Sequence, residues 1–255
     1  MSKEHIWPQW AGSVSAEIRS NSPNSELHVN PTGEAIVLKS KEAREVTLRT
    51  MNRVCQSCNN GWMSVSESSA KPMITKMILG ESVRIEFEDA KKIAYWIALR
   101  STCFDASYPA HSIICQEDRT VLLEHNTSPR NWQMFVGKCD ARSRTYDIYR
   151  SRIVDGFEKD QLGLPANSMA LSLRFGQLLI FVIVHYVKNF DFEVSTKTGK
   201  CDLVNPGRRF KAFDFGARGI LTPGEVGLCV QAFHHRIDKR SAGTYRNLHP
   251  TNGQI

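Results

Sequence analysis

The stretch from Met169 to Val187 constrains the fold more than any other part of the chain. Two apolar runs, residues 169–175 and 177–187, are divided by Gly176, and each has the length of a buried strand. Together they predict a buried antiparallel pair. The longest uninterrupted apolar run, Leu178 to Val184, is seven residues, far short of the roughly 20 that a membrane helix needs. No membrane partner is expected.

The remaining elements follow from periodicity and punctuation. Residues 26–29 and 35–38 flank Asn30-Pro31-Thr32-Gly33 and predict a hairpin, with a third short strand at 46–49. Residues 13–25, rich in Ser and Asn, read as a loop. A helix is expected from Asn59 or Asn60 to Leu79, because Trp62, Met63, Ser66, Ala70, Met73, Ile74 and Met77 recur every three or four residues; Pro72 should kink or split it, and Gly80 ends it. A second helix is expected over 88–104, with acids in its first turn, and a short third over 117–124. Further strands are expected at 132–136 and 145–149, and mostly loop beyond Asn205. The pattern is α+β: a unit over 1–80, then helix and a mainly antiparallel β domain over 81–255 with a basic, loop-rich tail.

The charge is uneven. The chain of 255 residues has 33 Lys+Arg against 26 Asp+Glu, a net of +7, and residues 199–255 hold nine of those bases against four acids. Clustered cations attract phosphates irrespective of sequence, so Arg208, Arg209, Lys211, Arg236, Lys239 and Arg240 are the candidate nucleic-acid contacts. The alternative is a solvated basic tail. Seven Cys, with only Cys55 and Cys58 close together, do not suggest a disulfide framework, and the start Met1-Ser2-Lys3-Glu4-His5 lacks a signal peptide's apolar stretch. A cytoplasmic protein is expected; the oligomeric state is not indicated.

Two motifs carry chemistry: Lys3-Glu4-His5-Ile6-Trp7-Pro8-Gln9-Trp10 and Val54-Cys55-Gln56-Ser57-Cys58-Asn59-Asn60-Gly61-Trp62-Met63-Ser64. An acid, a His and an apolar residue with Pro close behind, then a hairpin, then C-x-x-C-N opening a helix, resembles the HNH endonucleases of the ββα-metal (His-Me finger) class. The E-H-I-W-P and C-x-x-C-N-N-G-W-M-S spelling is similar to a set of bacterial and phage HNH-like proteins. The resemblance covers residues 2 to about 80.

The resemblance implies a phosphodiester hydrolase acting on DNA. His5 matches the general base, for which an uncharged imidazole is suited near neutral pH. A hard divalent cation, Mg²⁺ or Mn²⁺, beside the phosphate is implied, and such ions prefer oxygen ligands. Glu4 offers a carboxylate, and Asn59 stands where the family places its last metal-binding His or Asn. The middle Asn matches Asn52, with Asn60 as a rival. Glu67, two helical turns after Asn59 and on the same helical face, is a candidate to support or replace a ligand.

Each feature also has a structural reading. Trp7, Trp10, Trp62 and Met63 are expected to pack the core, Asn59 and Asn60 to cap a helix, and His185 to lie among strands as a core histidine. His234-His235 reads as surface, and Asp105, Asp118 and Asp147 show no linking spacing. The family usually has a second C-x-x-C upstream of the His, completing a structural Zn²⁺ site. Here only Met1 to Glu4 precede His5, so either the given chain starts late, or half the knuckle is lost, or Cys103, Cys115, Cys139, Cys201, Cys229 or a His joins Cys55 and Cys58. The stretch from His5 to Asn59 is also longer than in compact HNH modules. The competing function is a catalytically inactive nucleic-acid-binding or inhibitor protein on a degenerate HNH scaffold; a protein-interaction module is a third.

Overall fold

The structure, a computed structural model, describes residues 2–16, 26–29, 35–38, 50–109, 112–140, 148–153, 168–186, 200–204 and 210–226. Its chain order is β1 (Ser2–His5), α1 (Gln9–Ala16), β2 (Glu26–Val29), β3 (Ala35–Leu38), β4 (Thr50–Val54), α2 (Gln56–Cys58), a π-helical segment (Asn59–Met63), α3 (Ser64–Leu79), β5 (Arg84–Ile85), α4 (Phe87–Ala106), α5 (Gln116–His125), β6 (Gln133–Lys138), β7 (Ile148–Ile153), β8 (Ser168–Phe175), β9 (Leu178–His185), β10 (Cys201–Leu203) and β11 (Phe213–Asp214). This is an α+β architecture built on a seven-stranded sheet of order β10-β6-β9-β8-β7-β2-β3, antiparallel except for the β2–β7 pair.

The apolar pair β8 and β9 lies inside that sheet, in register from Ser168↔His185 to Phe175↔Leu178. Its side chains are buried along almost its whole length, as expected of strands covered on both faces. The turn between them uses Gly176 at φ +53°, a conformation that glycine adopts without a Cβ penalty. The next residue, Gln177, ties the turn to the end of α3. Its N–H donates to the Ile78 carbonyl at 3.0 Å and its Nε2 to the Leu79 carbonyl at 3.0 Å. Gly80, at φ +74°, closes α3, and a Cβ there would sit 2.4 Å from the Gln177 side chain. The sheet therefore fixes where α3 ends.

Helix α4 is buried on nearly every side, with Ile93, Ala94, Trp96, Ile97, Ala98, Ser101 and Phe104 all at 0% exposure, which marks a central core helix. At its end Asp105, also at 0%, accepts hydrogen bonds from Ser112, the N–H groups of Ile113 and Ile114, and the Arg150 guanidinium of β7. Asp118 on α5 likewise accepts from Trp132 Nε1 and the Tyr186 hydroxyl, both at 2.7 Å. These aspartates are structural ties between helices and sheet. One apolar cluster runs from Ile6 through the α3 and α4 residues to Phe215, so residues on both sides of position 80 share a core.

Several expectations are met. The hairpin at 26–38 forms in register Glu26↔Leu38 to Val29↔Ala35, and the helices and most strands stand within a few residues of their expected ends. Three differ. Residues 13–16, read as loop, belong to α1. Pro72 does not split α3; the helix runs through it, and the break instead falls at Gly61, whose φ −99°, ψ −116° is not helical. Pro72 and Ser68 are both exposed, so the turn that gives up an i→i−4 hydrogen bond lies on the solvent side of the helix. The hairpin at 26–38 belongs to the large sheet, and the two motifs are joined by another pair, β1 with β4. The expected strand at 46–49, and His234, His235 and Asp147, lie outside the described residues.

Candidate functional site

β1 is four residues, Ser-Lys-Glu-His, with no apolar alternation to make it a strand by itself. It exists through its antiparallel partner β4, with Glu4 opposite Met51 and His5 opposite Thr50, and an irregularity between Ser2 and Glu4. Immediately after β1, Ile6 and Trp7 are buried at 3% and 0%. Trp7 packs on Phe104 and Phe175, with ring centroids 5.9 and 5.4 Å apart. That anchor sets the depth at which Glu4 and His5 are held. Trp10, Trp62 and Met63 are also packing residues: Trp10 meets Trp96, Trp62 stacks on Tyr95, and Met63 is buried.

β4 leads directly into the second motif. Cys55 is the N-cap of α2, its sulfur accepting from the Cys58 N–H at 3.0 Å, and Asn59 stands at the C-cap of that short helix rather than at an N-cap. Asn59 donates its own N–H to the Cys55 carbonyl. Asn52 lies on β4, whose partner is β1.

The two motifs open onto one cleft of about 430 Å³. Glu4, His5, Pro8, Gln9 and Trp10 line it from β1 and α1; Asn59, Asn60, Ser64, Glu67, Ser68 and Lys71 line it from the α3 side; Arg100 reaches it from α4. Four of the expected site residues, Glu4, His5, Asn59 and Glu67, are thus brought together although the two motifs lie far apart along the chain. Of the expected nucleic-acid contacts, Lys211 is exposed in the segment before β11; Arg208, Arg209, Arg236, Lys239 and Arg240 lie outside the described residues.

Arg100 organises the cleft. Its side chain is 1% exposed. Nη1 donates to Glu4 Oε1 at 2.8 Å and to the His5 carbonyl at 3.1 Å, while Nη2 donates to Glu67 Oε2. The other Glu67 oxygen accepts from Trp10 Nε1 at 2.7 Å. Burial works to lower the Arg100 pKa, but Cys103, Glu67 and Glu4 beside it outweigh that and raise it above the ordinary guanidinium value. The group is a permanent cation. Removing one partner of such a buried pair destabilises by about 3–5 kcal/mol, because the other charge is left uncompensated. Lys71, exposed, holds its ammonium 5.5 Å from the centroid of the Trp10 ring, a cation–π distance.

The donors do not fit the metals that the resemblance implies. A hard cation needs carboxylate oxygens to spare, and the Glu4 and Glu67 carboxylates are both held by Arg100. Among the described residues no group of three His, Cys, Asp or Glu gathers in a way that could hold a metal ion. Cys55 and Cys58 are joined to each other as a disulfide, and a zinc site requires thiolates. Cys103, Cys139 and Cys201 are buried thiols; burial pushes the Cys103 thiol up to about 11 against the opposing pull of Arg100.

Arg100, Lys71, Ser64, Ser68 and Gln9 are site residues that the motif reading passes over. The sequence holds a signal for most of them. Asn60, Ser64, Glu67, Ser68 and Lys71 follow one another at three- or four-residue steps or share a turn, a polar stripe along one helical face. Arg100 is the single charge in the run Tyr95 to Phe104, and a charge in a buried helix implies a partner.

Comparison with protein-family models, with curated proteins and with solved structures finds no match.

Proposed function

We propose that this cleft hydrolyses phosphodiester bonds in DNA, with His5 as the general base. The observation that carries the reading is the convergence of Glu4 and His5 from the first motif, Asn59 from the second and Glu67 from the helix that follows it on one cleft of about 430 Å³. In the proposed reaction a water loses its proton to the His5 imidazole as its oxygen bonds to phosphorus. The bond from phosphorus to the 3′ oxygen breaks, the departing oxygen takes a proton from solvent water to become a 3′-hydroxyl, and a 5′-phosphate is left. Negative charge grows on the phosphoryl oxygens in this step, and fixed cations facing that charge lower the barrier. Lys71 is an exposed cation in the cleft wall, and Asn59 and Asn60 offer amides to orient the phosphate. DNA as the substrate rests on the resemblance and on the basic excess of residues 199–255. Mg²⁺ or Mn²⁺ on Glu4, Asn59 and Glu67, Zn²⁺ on Cys55 and Cys58, and Asn52 as the middle Asn belong to the same resemblance. No step is assigned to a metal while both carboxylates are bound to Arg100.

A specific observation favours a second reading. Arg100 neutralises the two acids that a metal-dependent nuclease would use, as expected of a nucleic-acid-binding or inhibitor protein on a degenerate scaffold. Supercoiled plasmid incubated with wild type and with His5→Ala, in Mg²⁺, in Mn²⁺ and in EDTA, separates the two. Nicking by wild type that disappears in His5→Ala supports hydrolysis. Duplex binding with no nicking in any condition supports the second reading, and equal nicking by both proteins removes His5 from the chemistry.

A further inference from the structure

We propose that Arg100 is the resident cation of the cleft: its guanidinium stands between Glu4 and Glu67 where a divalent ion would stand, and it keeps the cleft from binding such an ion tightly. Three observations carry this. The guanidinium spans both carboxylates at once, Nη1 on Glu4 and Nη2 on Glu67, so a cation placed between them would meet a like charge on the same oxygens. The second Glu67 oxygen is taken by Trp10 Nε1, and the Arg100 Nη1 is held also by the His5 carbonyl. Finally, the Arg100 side chain is itself 1% exposed, on a helix whose neighbouring residues Trp96, Ile97, Ser101 and Phe104 are at 0%, so its charge depends on these two carboxylates for compensation. A metal could enter only by displacing a buried guanidinium from two partners, which leaves that charge unpaired.

Arg100 is then a positioning residue. It sets the main chain of His5 and the two acids in one arrangement. The inference rests on the proposed function only in taking these acids as the donors of that site, and it is read without DNA, so either can fail alone.

The test is Mn²⁺ titration by calorimetry, with thermal melts in parallel, on wild type, Glu4→Gln, Arg100→Gln and Arg100→Gln/Glu4→Gln. Wild type is expected to bind Mn²⁺ no tighter than about 1 mM, the weak end of oxygen-ligand sites. Arg100→Gln is expected to melt lower without metal, to bind Mn²⁺ at least about tenfold tighter than wild type and to recover melting temperature as Mn²⁺ is added, as a ligand of the folded state must. The double variant should lose that gain. Wild type binding Mn²⁺ at micromolar concentrations, with the binding abolished in Glu4→Gln, would overturn the proposal; so would a folded Arg100→Gln with no gain. If Arg100→Gln does not fold, the comparison of wild type with Glu4→Gln decides alone.

Discussion

Arg100 and Cys103 lie one helical turn apart on α4, and each shows how burial converts a side chain into a constraint. The Cys103 thiol is buried at 4% exposure and held protonated up to about 11, from an ordinary value of 9.0. A folded pKa above the unfolded one means that the folded state keeps a proton that the unfolded chain releases. The stability this contributes is complete below about pH 9 and is lost as pH rises toward 11. A difference of that size corresponds to about 2–3 kcal/mol. Urea unfolding from pH 8 to 11 is expected to show this decline, and Cys103→Ala should flatten part of it. Tyr95, pushed up to about 12 by burial, adds a fall in the same direction. A wild-type profile that is flat from pH 9 to 11 would contradict the assignment. At this scale the sequence is informative for identity and blind to pairing. Glu4, His5 and Asn59 are visible in their motifs and Glu67 by its helical spacing from Asn59, but nothing along the chain says that the distant Arg100 takes both acids.

Among elements, α3 is the one whose placement decides whether a cleft exists, since its stripe from Ser64 to Lys71 forms one wall. Its end is clasped by the β8–β9 turn through Gln177 and Gly80. Gly80→Ala puts a side chain at φ +74° and a Cβ within 2.4 Å of Gln177, and is expected to destabilise by about 1–3 kcal/mol. Adding Gln177→Ala should relieve the clash but not the backbone strain, which a double-mutant cycle by urea unfolding measures. Equal losses with and without Gln177 would show that no clash exists. The long helices and the β8–β9 pair are legible in the sequence because their periodicity is their own. β1 and β4 are not: Ser-Lys-Glu-His and Thr-Met-Asn-Arg-Val carry no alternation, and each is a strand because the other, distant in sequence, pairs with it. The break at Gly61 escapes a sequence reading for a related reason. Proline announces itself in a sequence, whereas a glycine bends only where the packing requires it.

For the whole molecule, one core joins the cleft to the sheet, and the net +7 is carried mostly by the stretch 199–255. The cleft itself is nearly balanced, with Glu4 and Glu67 set against Arg100 and Lys71. Affinity for DNA should therefore come from the basic tail and chemistry from the cleft. Replacing Arg208, Arg209, Lys211, Arg236, Lys239 and Arg240 by Gln is expected to weaken duplex binding and to reduce the slope of log K against log salt by about 0.9 for each phosphate that is no longer neutralised. His5→Ala should leave that slope unchanged. An unaltered slope in the tail variant would place the cations that meet the phosphates elsewhere. Among the described residues no helix is long and apolar enough to cross a membrane, as the shortness of the apolar runs implies.

The central claim, that His5 removes the proton from water attacking a DNA phosphate, is tested most directly by the single-turnover rate of 5′-phosphate formation on an end-labelled duplex. Wild type and His5→Ala are compared at matched DNA occupancy and confirmed equal melting temperature. Loss of a general base is expected to slow the variant by about 10²–10⁴-fold while both proteins bind the duplex equally. Equal rates of 5′-phosphate formation, or none from wild type in Mg²⁺, Mn²⁺ or EDTA, would contradict it.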